Sequence, residues 1–109
     1  MTPVQLVEKQ LSYYNSRDID GFLSCYADTV TAYNFGETNP IMLGISDFRE
    51  RYTVRFQDTK LHCKILNRIA IGTTVIDEEQ VTTSDAQTRH VVVLYTVADG
   101  KISQVRFIR

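Results

Sequence analysis

The stretch "VVVLYTVADGKISQVRFIR", residues 91–109, gives the clearest indication of the fold. Two runs rich in β-branched and aromatic residues stand on either side of "ADGK", residues 98–101. Asp-Gly between two such runs is a strong local indication of a β-hairpin, because both residues tolerate a positive φ. We therefore expect two antiparallel strands joined by a tight turn at this end of the sequence.

Two more strand-like segments come before this hairpin. Residues 61–71 and residues 74–83, "TVIDEEQVTT", are separated by a turn at Gly72-Thr73. Alternation of apolar and polar residues is typical of strands with one covered face. The apolar set of the first segment is Leu61, Cys63, Ile65, Ile69 and Ile71. The second half of the chain is therefore predicted to form four strands.

The first half of the chain has helical patterns. Thr2 and Gln5 have the spacing of a capping box, and Pro3 would occupy the first helical position. Asp18 is predicted to cap a second helix, and a third should begin near residues 44–46. The apolar stripe of the first helix is Val4, Val7, Leu11 and Tyr14. With a strand at "VTAYNF" (30–35), this order predicts an α+β fold with an antiparallel sheet.

The composition is that of one globular domain covering residues 1–109. Hydrophobic residues make up 43% and charged residues 23%, which is sufficient for a core without metals or disulfides. The net charge of -1 gives no support for nucleic-acid binding, which we do not expect. Cys25 and Cys63 form no short-spaced metal motif, so we expect two buried thiols, with one disulfide as the alternative.

No segment of the sequence predicts membrane association. Residues 1–10 carry Glu8 and Lys9 and lack the apolar core of a signal peptide. The longest apolar run, residues 91–97, is too short to span a bilayer. These absences favour a cytoplasmic location.

The order of elements and three stretches resemble the nuclear transport factor 2-like superfamily, most closely its SnoaL-like and ketosteroid-isomerase-like members. The stretches are "YYNSRDIDGFLSCYADTV", "LHCKILNRIAIGTTVIDEEQV" and "VVVLYTVADGKISQVRFIR". The resemblance implies a cone, in which a strongly curved antiparallel sheet wraps around three helices and a cavity opens at the wide end. Such folds include isomerases, cyclases, dehydratases and non-catalytic binding domains, so the fold alone does not determine the activity.

The chemical groups of the ketosteroid isomerases are not matched. By resemblance, Asn34 stands where those enzymes carry an aspartate base, Gln10 replaces their oxyanion-hole tyrosine, and Val93 replaces their protonated aspartate. An amide cannot accept a proton near neutral pH, so their mechanism is disfavoured here. Asn34 is then either a polar residue of the cavity or a residue that bonds loop backbone near Gly36.

Glu78 and His62 are the candidate acid–base residues. In many relatives a histidine stands at the position of Glu78, and the resemblance points this face of the strand toward the cavity. A carboxylate in an apolar cavity has a raised pKa and can act as an acid or a base. The alternatives are a solvated acidic strand, or an ion pair between Glu79 and Arg68. His62 is a general base if it faces the cavity, and otherwise an exposed strand residue.

Several other polar groups are candidates for ligand binding. Tyr14 and Asn34 are expected to orient a substrate, and Asn67 is either a second amide of the cavity or part of a β-bulge. Stripes of aromatic residues form core more often than they form a ligand site, and core is the default interpretation. The expected ligand-binding set is Tyr14, Asn34, Tyr52, Asn67 and Tyr95. Arg51 and Arg109 are either cations for an acidic ligand or surface residues.

The convex face of the sheet is predicted to be apolar and to form a symmetric homodimer, as in relatives. Its expected residues are Tyr33, Phe35, Val75, Val81 and Val92. A large apolar face exposed in a monomer would be a liability.

Two functions remain open from the sequence. The first is a small-molecule-binding protein that acts as a cofactor-free isomerase, cyclase or dehydratase, by proton transfer beside the carbonyl of a small, largely apolar ligand. The second is a non-catalytic homodimeric binding or association module, whose cavity is filled by Phe22, Tyr52 and Phe107. No motif for a cofactor or a metal site is recognised, and none is expected.

Overall fold

The computed structural model describes residues 1–85 and 87–109 and confirms the predicted α+β fold. The helices are α1 (Pro3–Ser16), α2 (Ile19–Ser24) and α3 (Ile45–Arg55). The strands are β1 (Tyr26–Asn34), β2 (Met42–Leu43), β3 (His62–Ile71), β4 (Thr74–Thr82), β5 (Thr88–Ala98) and β6 (Lys101–Ile108). The short β2 precedes α3 and was not predicted.

Local capping residues begin α1 and α2 as predicted. The Thr2 hydroxyl accepts the N–H of Gln5 at 3.1 Å, and the Gln5 side chain accepts the N–H of Thr2 at 2.9 Å. At α2, a carboxylate oxygen of Asp18 accepts the N–H of Gly21 at 3.0 Å. These bonds satisfy N–H groups that have no partner within the helix.

The strands form one open, strongly curved sheet in the order β2-β1-β6-β5-β4-β3, wrapped around the helices as a cone. The pairing of β1 with β6 is parallel, and the other pairings are antiparallel. The predicted hairpin joins β5 to β6, with positive φ at Asp99 (53°) and Gly100 (76°). The concave face of this sheet and the helices enclose the core.

A β-bulge in β3 reverses the predicted facing of its second half. Ile65 pairs with Glu79, but Asn67 already pairs with Glu78, so Leu66 is an extra residue. Beyond the bulge Ile69 and Ile71 face outward, with exposed fractions of 57% and 74%. The single apolar face predicted for residues 61–71 is therefore wrong beyond Ile65.

Strand β4 presents the opposite face to the core from the one expected. Val75, Asp77, Glu79 and Val81 are buried, whereas the alternate residues are half-buried on the convex face. The apolar ends of the inner set hold this orientation, because Val75 and Val81 are 0% and 5% exposed. The placement of Val75 and Val81 on a dimer face is therefore wrong, since both belong to the core.

Aromatic side chains from α1, α2, α3 and β1 pack together above the concave face. The ring centroids of Phe22 and Tyr52 lie 4.7 Å apart, and those of Tyr26 and Phe48 lie 5.1 Å apart. Tyr14 contacts the same group, with its ring 5.5 Å from that of Phe56.

Within the described residues, no helix is long and apolar enough to cross a membrane.

Candidate functional site

A cavity of about 90 Å³ lies between the helices and the concave face of the sheet. One wall is aromatic and comes from Phe22, Tyr26 and Tyr52. The facing wall is aliphatic and comes from the central strands, through residues such as Val93 and Val105. Polar groups interrupt both walls at a few points, as is usual for a site that binds a small molecule.

Glu79 is the carboxylate of this cavity. It projects from β4 into the cavity lining and is 6% exposed. Burial raises its pKa, and the nearby charge of Asp77 raises it further, whereas hydrogen bonds from Cys63 and Tyr95 and the charge of Arg68 lower it. The resulting pKa of Glu79 is about 7. A carboxyl group with this pKa can exchange a proton in either direction near neutral pH.

A directional chain of hydrogen bonds ends on Glu79. The Tyr26 hydroxyl donates to Oε1 of Gln10 at 2.9 Å, and Nε2 of Gln10 donates to the Tyr95 hydroxyl at 3.2 Å. The Tyr95 hydroxyl donates to Oε2 of Glu79 at 3.4 Å. Burial raises the pKa values of Tyr26 and Tyr95, so both phenols remain protonated donors.

Asp77 lies two residues before Glu79 on the same face of β4 and is completely buried. Arg68 holds it with two hydrogen bonds, from Nε at 2.6 Å and from Nη2 at 2.9 Å. A third group, Glu8, lies 3.7 Å from the same guanidinium. The ion pair of Glu79 with Arg68, considered from the sequence, is thus wrong, because Arg68 pairs with Asp77 and leaves Glu79 to the cavity.

Guanidinium groups lie along another part of the cavity lining, contributed by Arg51, Arg55 and Arg109. Nε of Arg55 donates to the Tyr14 hydroxyl at 2.8 Å. Burial raises the pKa of Tyr14, and Arg55 partly offsets this rise. Arg109 donates to Oδ1 of Asn34 at 3.1 Å.

The structure brings some of the sequence-predicted residues into the cavity. Tyr14, Tyr52 and Tyr95 all line it, and so do Gln10 and Val93, which replace the ketosteroid isomerase groups. The three tyrosines come from α1, α3 and β5, so their convergence depends on the curvature of the sheet around the helices.

Other sequence-predicted residues lie outside the cavity lining. His62 and Asn67 are exposed on the convex side of β3, and Asn34 is not a lining residue but bonds to Arg109, which is one. Glu78 lies on the convex face, with Oε2 2.7 Å from Nε2 of His90. The expected orientation of Glu78 is therefore wrong. Successive side chains of a strand point to opposite faces, and Asp77 and Glu79 face inward.

Glu79 is the residue that the sequence interpretation missed as a candidate acid or base. Its signal was the set Val75, Asp77, Glu79 and Val81, in which valines stand at both ends of one face. A strand buries the face that carries its apolar ends, so this set should have been assigned to the core.

A metal site finds no support among the residues that the structure describes. No group of three or more His, Cys, Asp or Glu side chains is arranged there to hold an ion. The polar groups in the cavity lining are carboxyl, phenol, amide, thiol and guanidinium groups.

Comparison with known proteins agrees with this architecture. No curated protein matches the sequence, but residues 7–105 match the family model of the SnoaL-like domain. An uncharacterised cystatin-fold protein from Novosphingobium aromaticivorans is similar, with a TM-score of 0.89 and 24% identity over 100% of this chain and 99% of that one.

Two further solved structures share the fold. A candidate ketosteroid isomerase from Kribbella flavida has a TM-score of 0.79 and 21% identity, over 94% of this chain and 73% of that one. The epoxide hydrolase/cyclase-like enzyme SalBIII, described for its role in pyran ring formation in salinomycin, has a TM-score of 0.84 and 15% identity, over 97% of this chain and 88% of that one. The match of residues 7–105 shows that the chain belongs to the family of SnoaL-like domains.

Proposed function

We propose that this protein binds a small carbonyl-bearing molecule in the cavity and moves a proton beside the carbonyl, as an isomerase, cyclase or dehydratase does. Glu79 is the acid–base residue of this proposal. The observation that carries it is a buried carboxyl group in the cavity lining, with a pKa of about 7 and no ion pair among the described residues. Perturbed carboxyl groups in cavities are characteristic of acid–base catalysts.

The proposed step returns the proton to the molecule from which Glu79 took it, so no further reactant is needed. The Glu79 carboxylate takes a proton from the carbon next to the carbonyl, and the electron pair of that C–H bond moves to the carbonyl oxygen as an enolate. The protonated Glu79 then returns the proton to another carbon of the same molecule. Tyr14, which bonds to the Arg55 guanidinium, is the proposed donor to the enolate oxygen.

The neighbours of Glu79 suit both halves of this exchange. The Tyr95 hydroxyl stabilises the carboxylate form, while burial and Asp77 stabilise the protonated form. These opposing effects hold the pKa near the middle of the range in which a single group serves as base and then as acid.

The test is exchange of solvent deuterium into a panel of cyclic enones and β-keto compounds, followed by proton NMR. With Glu79→Gln we expect the exchange rate to fall by about 100-fold or more, because the amide accepts no proton. Glu78→Gln is the matched comparison, since it makes the same change one residue away on the convex face.

The wild-type exchange rate is expected to rise with pH through about 7 and then level, because the resting base must be deprotonated. Equal rates for wild type and Glu79→Gln on every compound that exchanges would contradict the assignment. If only Glu78→Gln lowered the exchange rate, the acid–base residue would be Glu78 on the convex face and not Glu79.

A second function is favoured by the size of the cavity. Its volume of about 90 Å³ is small beside the roughly 300–1,000 Å³ of many ligand sites, and Phe22, Tyr52 and Phe107 line it. We propose as the alternative a non-catalytic binding or association module. This alternative predicts that ligands bind without any proton exchange in either the wild type or the Glu79 variant.

We also propose that the protein is a homodimer through the convex face of the sheet. Ile69, Ile76 and Leu94 are paired in register across β3, β4 and β5, and the same row continues to Arg106 and Tyr33. Ile69 is 57% exposed in the single chain. An apolar row of this kind is stabilised when a second copy covers it.

A further inference from the structure

The arginines of the cavity have no acidic partner in the part of the chain that the structure describes. Arg51 and Arg55 project from α3, and Arg109 follows β6. Within residues 1–85 and 87–109, none of the three forms an ion pair with a carboxylate. Arg55 instead donates to the phenol of Tyr14, and Arg109 to the amide of Asn34, and both of these acceptors are neutral.

Two acidic groups in this region bond to other partners. The carboxylate of Asp58, which adds to the field at Arg55, accepts the backbone N–H of Lys60 at 2.9 Å and that of Ser84 at 2.9 Å. Glu79 lies in the same cavity but bonds to Tyr95. The cavity therefore carries more positive than negative charge from its own residues.

Helix α3 itself provides a contrast. Arg49, which is not part of the cavity lining, donates to Asp20 at 3.0 Å on the outside of the molecule. Arg51 and Arg55 lie on the same helix and line the cavity without such a partner. All three arginines are exposed, but only Arg49 has an acidic partner among the described residues, whereas Arg51 and Arg55 keep their guanidinium groups available at the cavity.

We propose that the cavity takes a small organic acid, with its carboxylate among Arg51, Arg55 and Arg109 and its apolar body against the aromatic wall. Guanidinium groups form paired, charge-assisted hydrogen bonds with carboxylates, which gives them both affinity and orientation. This inference rests on the proposed function, because it names the ligand class of the same cavity. It places the anionic end at the arginines and leaves the carbonyl oxygen to Tyr14 and the carbon next to the carbonyl to Glu79.

A matched pair of probes tests the proposal by isothermal titration calorimetry. 4-Oxocyclohexanecarboxylate carries a carbonyl, a small ring and an anionic group, and 4-oxocyclohexanecarboxamide differs only in lacking the charge. We expect the carboxylate to bind at least about tenfold more tightly than the carboxamide. Raising the ionic strength should reduce this preference, since salt screens charges near the surface.

Substitutions on α3 locate the effect. Arg51→Gln should remove most of the preference for the carboxylate, whereas Arg51→Lys should keep part of it, because it keeps the charge but not the paired donors. Arg49→Gln is the matched control on the same helix and should leave the preference unchanged. Far-UV circular dichroism verifies that each variant is folded.

The outcomes separate this inference from the proposed function. Equal affinity for the two probes, no measurable binding of the carboxylate, or a preference that survives both Arg51→Gln and Arg55→Gln would overturn the inference. Inorganic phosphate that displaces the carboxylate at equal concentration would overturn the assignment to an organic acid. Carboxylate binding that depends on Arg51, without deuterium exchange into this probe or into any compound of the panel, overturns the proposed function and leaves the inference standing.

Discussion

At the scale of single residues, Glu78 and Glu79 show how the environment separates two identical side chains. The side chain of Glu78 is 39% exposed and contacts His90, whereas residue Glu79 is 6% exposed and faces the cavity. Burial disfavours the charged form of Glu79, and solvent screens the interactions of Glu78. The same chemical group is therefore a surface charge at one position and a titrating group near neutral pH at the next.

The raised pKa of Glu79 predicts a pH-dependent stability. The pKa is 4.5 in an unmodified carboxyl group and about 7 in the folded chain, so the folded state holds its proton over a range where the unfolded state has lost it. Stability is therefore lost as pH rises from about 4.5 to about 7. The full effect is about 3 kcal/mol, since each pKa unit corresponds to about 1.4 kcal/mol.

Urea unfolding followed by far-UV circular dichroism measures this effect. Glu79→Gln removes the titrating group, so the stability of the variant relative to wild type should increase by up to about 3 kcal/mol between about pH 5 and pH 8. The comparison cancels the contributions of other groups that titrate in both proteins. A stability difference that is constant over this range would contradict the raised pKa.

The position of a residue was predictable from the sequence where its side chain lay on a helical stripe, whereas ligand binding by such residues stays a prediction. Tyr14 and Tyr52 recur with apolar residues at helical spacing, and both line the cavity. The prediction failed for Glu79, because the orientation of β4 was taken from a resemblance. The apolar residues at the ends of the strand, Val75 and Val81, decide that orientation physically.

At the scale of elements, α2 depends on its cap more than the other helices do. It has six residues, Ile19–Ser24, which is too short to be stable alone in water. Asp18 satisfies the N–H of Gly21, and the packing of Phe22 and Leu23 holds the helix against the core. Since Phe22 also forms the aromatic wall, the cap contributes to the shape of the cavity.

Asp18→Ala should therefore lower the free energy of unfolding by about 1 kcal/mol. The hydrogen bond from Gly21 to the cap is lost, while the exposed side chain of Asp18 leaves no cavity behind. Asp18→Asn is the matched control, because its amide oxygen can accept the same N–H, and it should be close to wild type. Equal stability of the Ala and Asn variants in urea unfolding would contradict the role of the cap.

Elements were predictable where the signal is local. The capping box at Thr2 and the Asp99-Gly100 turn are defined by neighbouring residues, and both are confirmed. The bulge at Leu66 has a weaker signal, since Asn67 interrupts the apolar pattern and a β-bulge was one of its two interpretations, which the pairing confirms. Its position follows from pairing with β4, which is a long-range property.

At the scale of the whole molecule, the convex face of the sheet carries the row of side chains proposed as the dimer interface. Leu94 lies at the centre of it, between Ile76 on β4 and Arg106 on β6. Arg106 stacks on Tyr33, with 4.7 Å from its guanidinium carbon to the ring centroid. This row is apolar at one end and cationic and aromatic at the other, which suits antiparallel contact with a second copy.

The proposed homodimer predicts a mass of twice 12.5 kDa in size-exclusion chromatography with light scattering. Leu94→Arg should shift the protein to the monomer mass, because it places a charge in the centre of the proposed interface. Val54→Arg is the control, since Val54 is 65% exposed on α3, away from the convex face. A wild-type mass of 12.5 kDa at micromolar concentration would contradict the dimer.

The overall architecture was predictable in kind but not in every pairing. The order of helices and strands predicted the α+β fold, the family resemblance implied the cone, and the structure confirms both. The parallel pairing of β1 with β6 was not predicted, because it joins segments from the two ends of the chain and no local sequence specifies it. Long-range packing also decides which polar residues face the cavity. For this reason Glu79 could not be assigned to the cavity from local sequence in the way that the tyrosines were.

The extra residue in β3 has a consequence for charge balance across the sheet. Up to Ile65, odd-numbered side chains of this strand point inward, and after Leu66 the even-numbered ones do. Only this change of parity turns Arg68 inward, where it neutralises the fully buried Asp77. The extra residue Leu66 thus gives Asp77 an ion pair with Arg68. Glu79, on the same face of β4, lacks this ion pair, as the proton exchange proposed for it requires.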